Sequence, residues 1–140
     1  MTIIIEEDVN KLAKLHETCD PIRLAKLCGC NILYSDLDAD TWGFTVNNNR
    51  CNTIVVNQHL KKELQKFTIA HELGHVRLHK GISTPFLKKV ARGSFIPAIE
   101  KEANMYAFSI LCKNVNNINT MTKYQILDCL GLSYDMERFL

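Results

Sequence analysis

Residues 67–80, FTIAHELGHVRLHK, limit what this chain can fold into more than any other stretch. From His59 to Lys80 there is no proline and a single glycine, Gly74, so the run reads as one long helix ending at Gly81. His71, His75 and His79 recur every four residues along it. Residues four apart on a helix project to the same side, with Cβ atoms about 5–6 Å apart. Two imidazoles at that separation can each give one nitrogen to a single tetrahedral zinc ion. Glu72 follows the first of them and lies off the ligand line. From there it can lean over the metal's open position and take a proton from bound water. Gly74 costs about 1 kcal/mol relative to alanine in a helix, which points to a close packing contact at that position.

A catalytic zinc takes three protein ligands and keeps one position open. His79 lies about 12 Å from His71 by helix rise, too far to converge on the same ion. It falls in the last turn, where a partly cationic side chain is favoured. The third ligand is therefore expected on the next helix, as a carboxylate, in PAIEKEANMYAFSILCK. Ala103, Tyr106, Ala107, Ile110 and Leu111 form that helix's apolar stripe. Glu100 and Glu102 lie about 200° apart on it, so only one can face the metal. Glu102 adjoins the stripe through Tyr106, and Glu100 through Ala103 and Asn104. Periodicity leans to Glu102 and leaves Glu100 open. By proximity, Tyr106, Arg77 and His79 are candidates to stabilise an oxyanion.

The rest of the chain frames this pair of helices. Residues 6–17 carry a helical stripe of Val9, Leu12, Ala13 and Leu15. A short helix follows, with Asp20 as N-cap, Pro21 in its first turn and Gly29 beyond its end. CNILYS, TWGFTV and NTIVVN read as strands, the last two joined by the asparagine-rich turn NNNRC, which favours a hairpin. Residues 82–96 read as an irregular loop. The tail reads as a helix, a break at Gly131, and a short helix capped by Ser133. The expected class is α+β, with helices around a small, largely antiparallel three-stranded sheet, in a single domain over residues 1–140.

The chain has 17 basic and 15 acidic residues, a net charge of +2, dispersed apart from LKKELQK at 60–66 and LKKVAR at 87–92. Nucleic-acid binders carry a stronger basic stripe, so no direct nucleic-acid contact is expected. No window approaches 18 apolar residues, and the N-terminus has acids rather than bases around its apolar run. Neither a membrane span nor a signal peptide is expected, and the location is expected to be cytoplasmic. In that reducing setting the six cysteines, with no Cys-x-x-Cys pair, read mostly as small buried apolar residues.

FTIAHELGHVRLH followed by EKEANMYAFSILC, with IVVN before the long helix, resembles the ImmA/IrrE family of bacterial metallopeptidases. The resemblance spans roughly residues 52–112. It implies a zincin-like domain holding one zinc ion, with His71 and His75 as ligands, Glu72 as catalytic base, and Glu102, the glutamate before Ala-Asn, as third ligand. It also implies an endopeptidase that cleaves a regulatory protein, such as a helix-turn-helix repressor of a phage or mobile element. The alternative is a non-proteolytic or toxin-like partner of a neighbouring helix-turn-helix protein. A complete Glu72 argues against a purely structural zinc, which has no need of a base. The chain departs from the family at Tyr106, where phenylalanine is usual, and at Leu111-Cys112-Lys113, where Leu-Met-Pro is usual.

Overall fold

The computed structural model describes residues 2–82, 84–88 and 95–140. In order, they form α1 (Thr2–His16), α2 (Pro21–Leu27), β1 (Cys30–Ser35), β2 (Thr41–Asn48), β3 (Cys51–Asn57), α3 (Lys62–Leu78), β4 (Phe86–Leu87), α4 (Ala98–Cys112) and α5 (Lys123–Leu130). Short 3-10 turns cover Ile118–Thr120 and Tyr134–Phe139. The class is α+β, with a mixed sheet flanked by helices. None of the described helices is long and apolar enough to cross a membrane.

Local chemistry accounts for most boundaries. The Asp20 carboxylate accepts from the Arg23 N–H and caps α2, and Gly29 takes φ +86° just beyond it. Asn49 and Arg50, both at positive φ, make the two-residue turn between β2 and β3. Thr122 and Gln125 form a reciprocal capping box on α5, and Gly131 ends it in the left-handed conformation. Ser133 caps the final 3-10 turn. The first helix begins at Thr2 rather than Glu6, because Ile5 belongs to its buried face along with Val9 and Leu12.

The sheet differs from the expectation in two respects. Its order is β1-β3-β2-β4, with β1 parallel to β3 and the other pairs antiparallel. Phe86–Leu87 adds a fourth, two-residue strand where the sequence reads as loop. Phe86 is fully buried and packs on Trp42 and Phe67, which draws that short segment onto the sheet edge. The rest of the loop expected over 82–96 lies in part outside the described residues, as does most of the basic run ending at Arg92. At the end of β3, the buried Asn57 donates to the Asp38 and Thr41 carbonyls and accepts from the His59 N–H. It therefore ties the β1–β2 connection to the entry of α3. All six cysteines are free, but only Cys30 is buried. Four of the others are half-buried and Cys129 is exposed, so they are less a core set than the sequence suggests.

Two close approaches set α3 in place. At Gly43 a Cβ would meet the Val55 carbonyl at 2.6 Å and the Thr68 methyl at 2.8 Å, so only glycine lets β2 and α3 come this near. At Gly74 a Cβ would lie 2.9 Å from the Tyr106 Cβ and 3.4 Å from the Ala103 Cα. The glycine inside the helix is thus explained by the seating of α4 on α3. Gly74→Ala is expected to destabilise the protein by about 1–2 kcal/mol. Overpacking against backbone and a Cβ costs about 1–3 kcal/mol, which outweighs about 1 kcal/mol of helix propensity. A urea titration read by circular dichroism checks this; an unchanged or raised midpoint would contradict it.

Candidate metal centre

Burial along α3 runs unbroken from Phe67 to His75, so the helix places its two histidines and Glu72 inside the protein. His71 is 0%, Glu72 1% and His75 3% exposed, a depth at which each polar atom needs a partner. Ligand atoms of the three fall within 4.8 Å of one another. From α4, Glu100 adds a carboxylate with one oxygen 3.1 Å from Nε2 of His71 and the other 3.0 Å from Nε2 of His75. The opposite ring nitrogen of His71, Nδ1, lies 2.7 Å from Oδ1 of the buried Asn104. An amide oxygen can only accept, so Nδ1 of His71 carries a proton, and with a metal ion bound the Nε2 lone pair would face the ion beside Glu100. Phe86 stacks on the same ring, 3.6 Å between centroids and 7° from parallel.

The two carboxylates are held differently. Glu100 touches both histidines, and the Thr84 hydroxyl donates to its Oε1 at 2.8 Å. The nearer oxygen of Glu72 is 3.7 Å from Nε2 of His71, while its Oε1 accepts from the Thr45 hydroxyl at 2.8 Å. Thr45 follows Gly43 by two on β2, and Glu72 follows Thr68 by four on α3. The close approach at Gly43 therefore carries the strand along the helix and delivers Thr45 to Glu72. Burial pushes the Glu72 carboxyl up to about 7, against the pull of His75 and the Thr45 hydrogen bond. Burial also opposes ionisation of Glu100, but His71 and His75 beside it hold it well below the usual carboxylate range. Burial lowers His71. At His75 burial acts the same way, but Glu100 and Glu72 outweigh it and leave the ring raised.

The structure brings Glu100, not Glu102, to the two histidines. Glu102 instead lies 2.7 Å from Nε2 of His79, one turn beyond the site. The other residues singled out for an oxyanion are engaged elsewhere. Arg77 makes two hydrogen bonds to Asp8 on α1, and the Tyr106 hydroxyl donates to the same carboxylate. Burial works against the Asp8 charge, but these partners hold its carboxyl below the ordinary value. Asp8, Thr45, Thr84 and Phe86 were not legible as site neighbours, since each meets its partner across a long sequence separation. Asn104 did carry a signal: a polar residue inside an apolar stripe needs a buried partner, and Glu100 lies one turn before it.

This donor set fits a zinc-type ion. Two imidazole nitrogens and one carboxylate converge in a buried place, the ligand chemistry of a catalytic zinc. Nε2 of His75 and Oε2 of Glu72 are buried and have no hydrogen-bond partner among the described residues. Nε2 of His75 lies 3.0 Å from one Glu100 oxygen, so the two groups are close enough to share one cation.

Residues 25–114 match the family model of the IrrE N-terminal-like domain, a span that holds the whole sheet, α3 and α4. Over 108 residues the chain is 33% identical to the "Uncharacterized immunity region protein 2" of Bacillus phage phi105. That stretch covers 77% of this chain and 68% of the phage protein. With the family model spanning every residue around the His-Glu-x-x-His cluster, the chain belongs to the family of IrrE N-terminal-like domains and is a metal-dependent peptidase.

Proposed function

We propose that the chain is a zinc endopeptidase whose single ion is held by Nε2 of His71, Nε2 of His75 and the carboxylate of Glu100. Glu100 takes the place that the sequence resemblance gives to Glu102. One observation carries this: the Glu100 carboxylate lies within 3.1 Å of both ring nitrogens. Zinc bound there supplies Lewis acidity, polarising the scissile carbonyl and acidifying a water. Glu72 is the general base. Thr45 holds one of its oxygens, which leaves Oε2 to take the water's proton and then pass it to the leaving amine. Beside His75, a cleft of about 290 Å³ lined by Thr45, Asn47, Asn52, His79 and Ile82 gives the substrate chain a place to lie.

The substrate is a regulatory protein, such as a helix-turn-helix repressor of a phage or mobile element, met in the cytoplasm. Likeness to a protein named for a phage immunity region supports this reading. The test is incubation with any helix-turn-helix protein encoded beside it. The expected result is discrete cleavage that stops with a chelator and returns with zinc. A repressor that binds but stays intact in zinc would favour the non-proteolytic partner instead.

A further inference from the structure

Metal ligation constrains both nitrogens of an imidazole. If Nε2 of His75 presents its lone pair to the ion, the neutral ring carries its proton on Nδ1. That Nδ1 lies 2.9 Å from Nδ1 of His79, and Nε2 of His79 lies 2.7 Å from Oε1 of Glu102. A carboxylate only accepts, so in the neutral ring the His79 proton sits on Nε2, and Nδ1 of His79 is left as the acceptor for His75. Every donor then points one way, from His75 through His79 to Glu102. The opposite assignment, with a proton on Nδ1 of His79, would move the His75 proton to Nε2 and turn a donor toward the metal. The two side chains are well enclosed, 8% exposed for His79 and 21% for Glu102.

We propose that His79 and Glu102 are positioning residues that fix the tautomer and ring orientation of His75, and so set the affinity of the metal site. This rests on His75 being a metal ligand, as proposed above. It gives a role to the third histidine, which is too far along the helix to be a ligand itself. It also gives one to the glutamate that faces α3 without reaching the site. His71 has its own counterpart in Asn104, so each imidazole is backed at Nδ1 by a different acceptor. Outer partners of this kind alter metal affinity by about 10–100-fold when removed.

The experiment measures zinc affinity by competition with a chromophoric chelator, and the d–d absorption of the cobalt-substituted protein. It uses the full chain, with circular dichroism to confirm that each variant folds. His79→Leu is expected to weaken zinc by about 10–100-fold and to shift the cobalt bands. His79→Gln, whose amide oxygen can accept from Nδ1 of His75, is expected to recover most of the affinity. A purely packing role would not predict that rescue. Glu102→Ala is expected to weaken binding less than His79→Leu, because the His79 ring remains. If His79→Leu binds zinc within twofold of the parent with an unchanged cobalt spectrum, the inference fails while the metal site stands. It fails too if His79→Gln binds no better than His79→Leu. Absence of stoichiometric binding by the parent protein would overturn the metal site itself.

Discussion

Glu100→Gln is expected to abolish stoichiometric zinc binding, whereas Glu102→Gln retains it. Glutamine keeps the volume of Glu100 and an acceptor for the Thr84 hydroxyl, so the packing between α3 and α4 is preserved. What it removes is the negative charge that faces both ring nitrogens at 3.0–3.1 Å. A neutral amide is a poor substitute for a carboxylate at zinc, so affinity is expected to fall beyond the roughly hundredfold typical of losing an outer partner. Glu102→Gln leaves an acceptor opposite His79, so its loss is expected to stay below about tenfold, the lower end of that smaller range. Thermal unfolding separates the two. At zinc about 100-fold above its dissociation constant, binding stabilises the folded state by about 2.7 kcal/mol. For a chain this size that is a rise of roughly 10 °C. The parent and Glu102→Gln should show most of it, and Glu100→Gln almost none. If Glu102→Gln lost the shift and Glu100→Gln kept it, the ligand would be Glu102.

The two halves of the site differ in how readable they are from sequence. His71, Glu72 and His75 lie within one turn of a single helix, where the fixed rise and period make spacing equivalent to geometry. Gly74 was readable for the same reason, since a glycine inside an otherwise unbroken helix requires a neighbour, and Tyr106 is that neighbour. The third ligand depends on how one helix is rotated against another. Both Glu100 and Glu102 face α3, at different points along it: Glu100 and Asn104 meet His71, while Glu102 meets His79. Tyr106 drew the reading toward Glu102. It is buried against Gly74, and its hydroxyl reaches Asp8 on α1, so its burial marks the side of α4 shared with α1. Asn104 marks the side of α4 that meets His71, because a buried amide must find a polar partner whereas a buried ring need only find space. The strands were legible individually, but the parallel pairing of β1 with β3 follows from which edge of the β2–β3 hairpin remains free. Residue patterns within a strand do not encode that.

Glu72→Gln should leave the metal site intact and remove the chemistry. Residue 72 lies off the His71–His75 line, and its nearer oxygen is 3.7 Å from the His71 nitrogen, so its loss does not empty the ligand set. Glutamine can still accept from the Thr45 hydroxyl through its amide oxygen, which holds the side chain where Glu72 lies. A neutral amide is also free of the desolvation that pushes the Glu72 carboxyl up to about 7. The variant should therefore fold at least as stably as the parent and bind one zinc with similar affinity. The amide cannot take a proton from water. General acid–base catalysis of this kind contributes about 10²–10⁴ in rate, so kcat against a protein substrate should fall by that factor while substrate binding is retained. Isothermal titration with zinc, thermal unfolding and a gel-based cleavage time course measure the three quantities on one preparation. Cleavage within tenfold of the parent rate would remove Glu72 from the base role, even with the metal ligands intact. Loss of zinc in this variant would move Glu72 into the ligand set and leave the base unassigned.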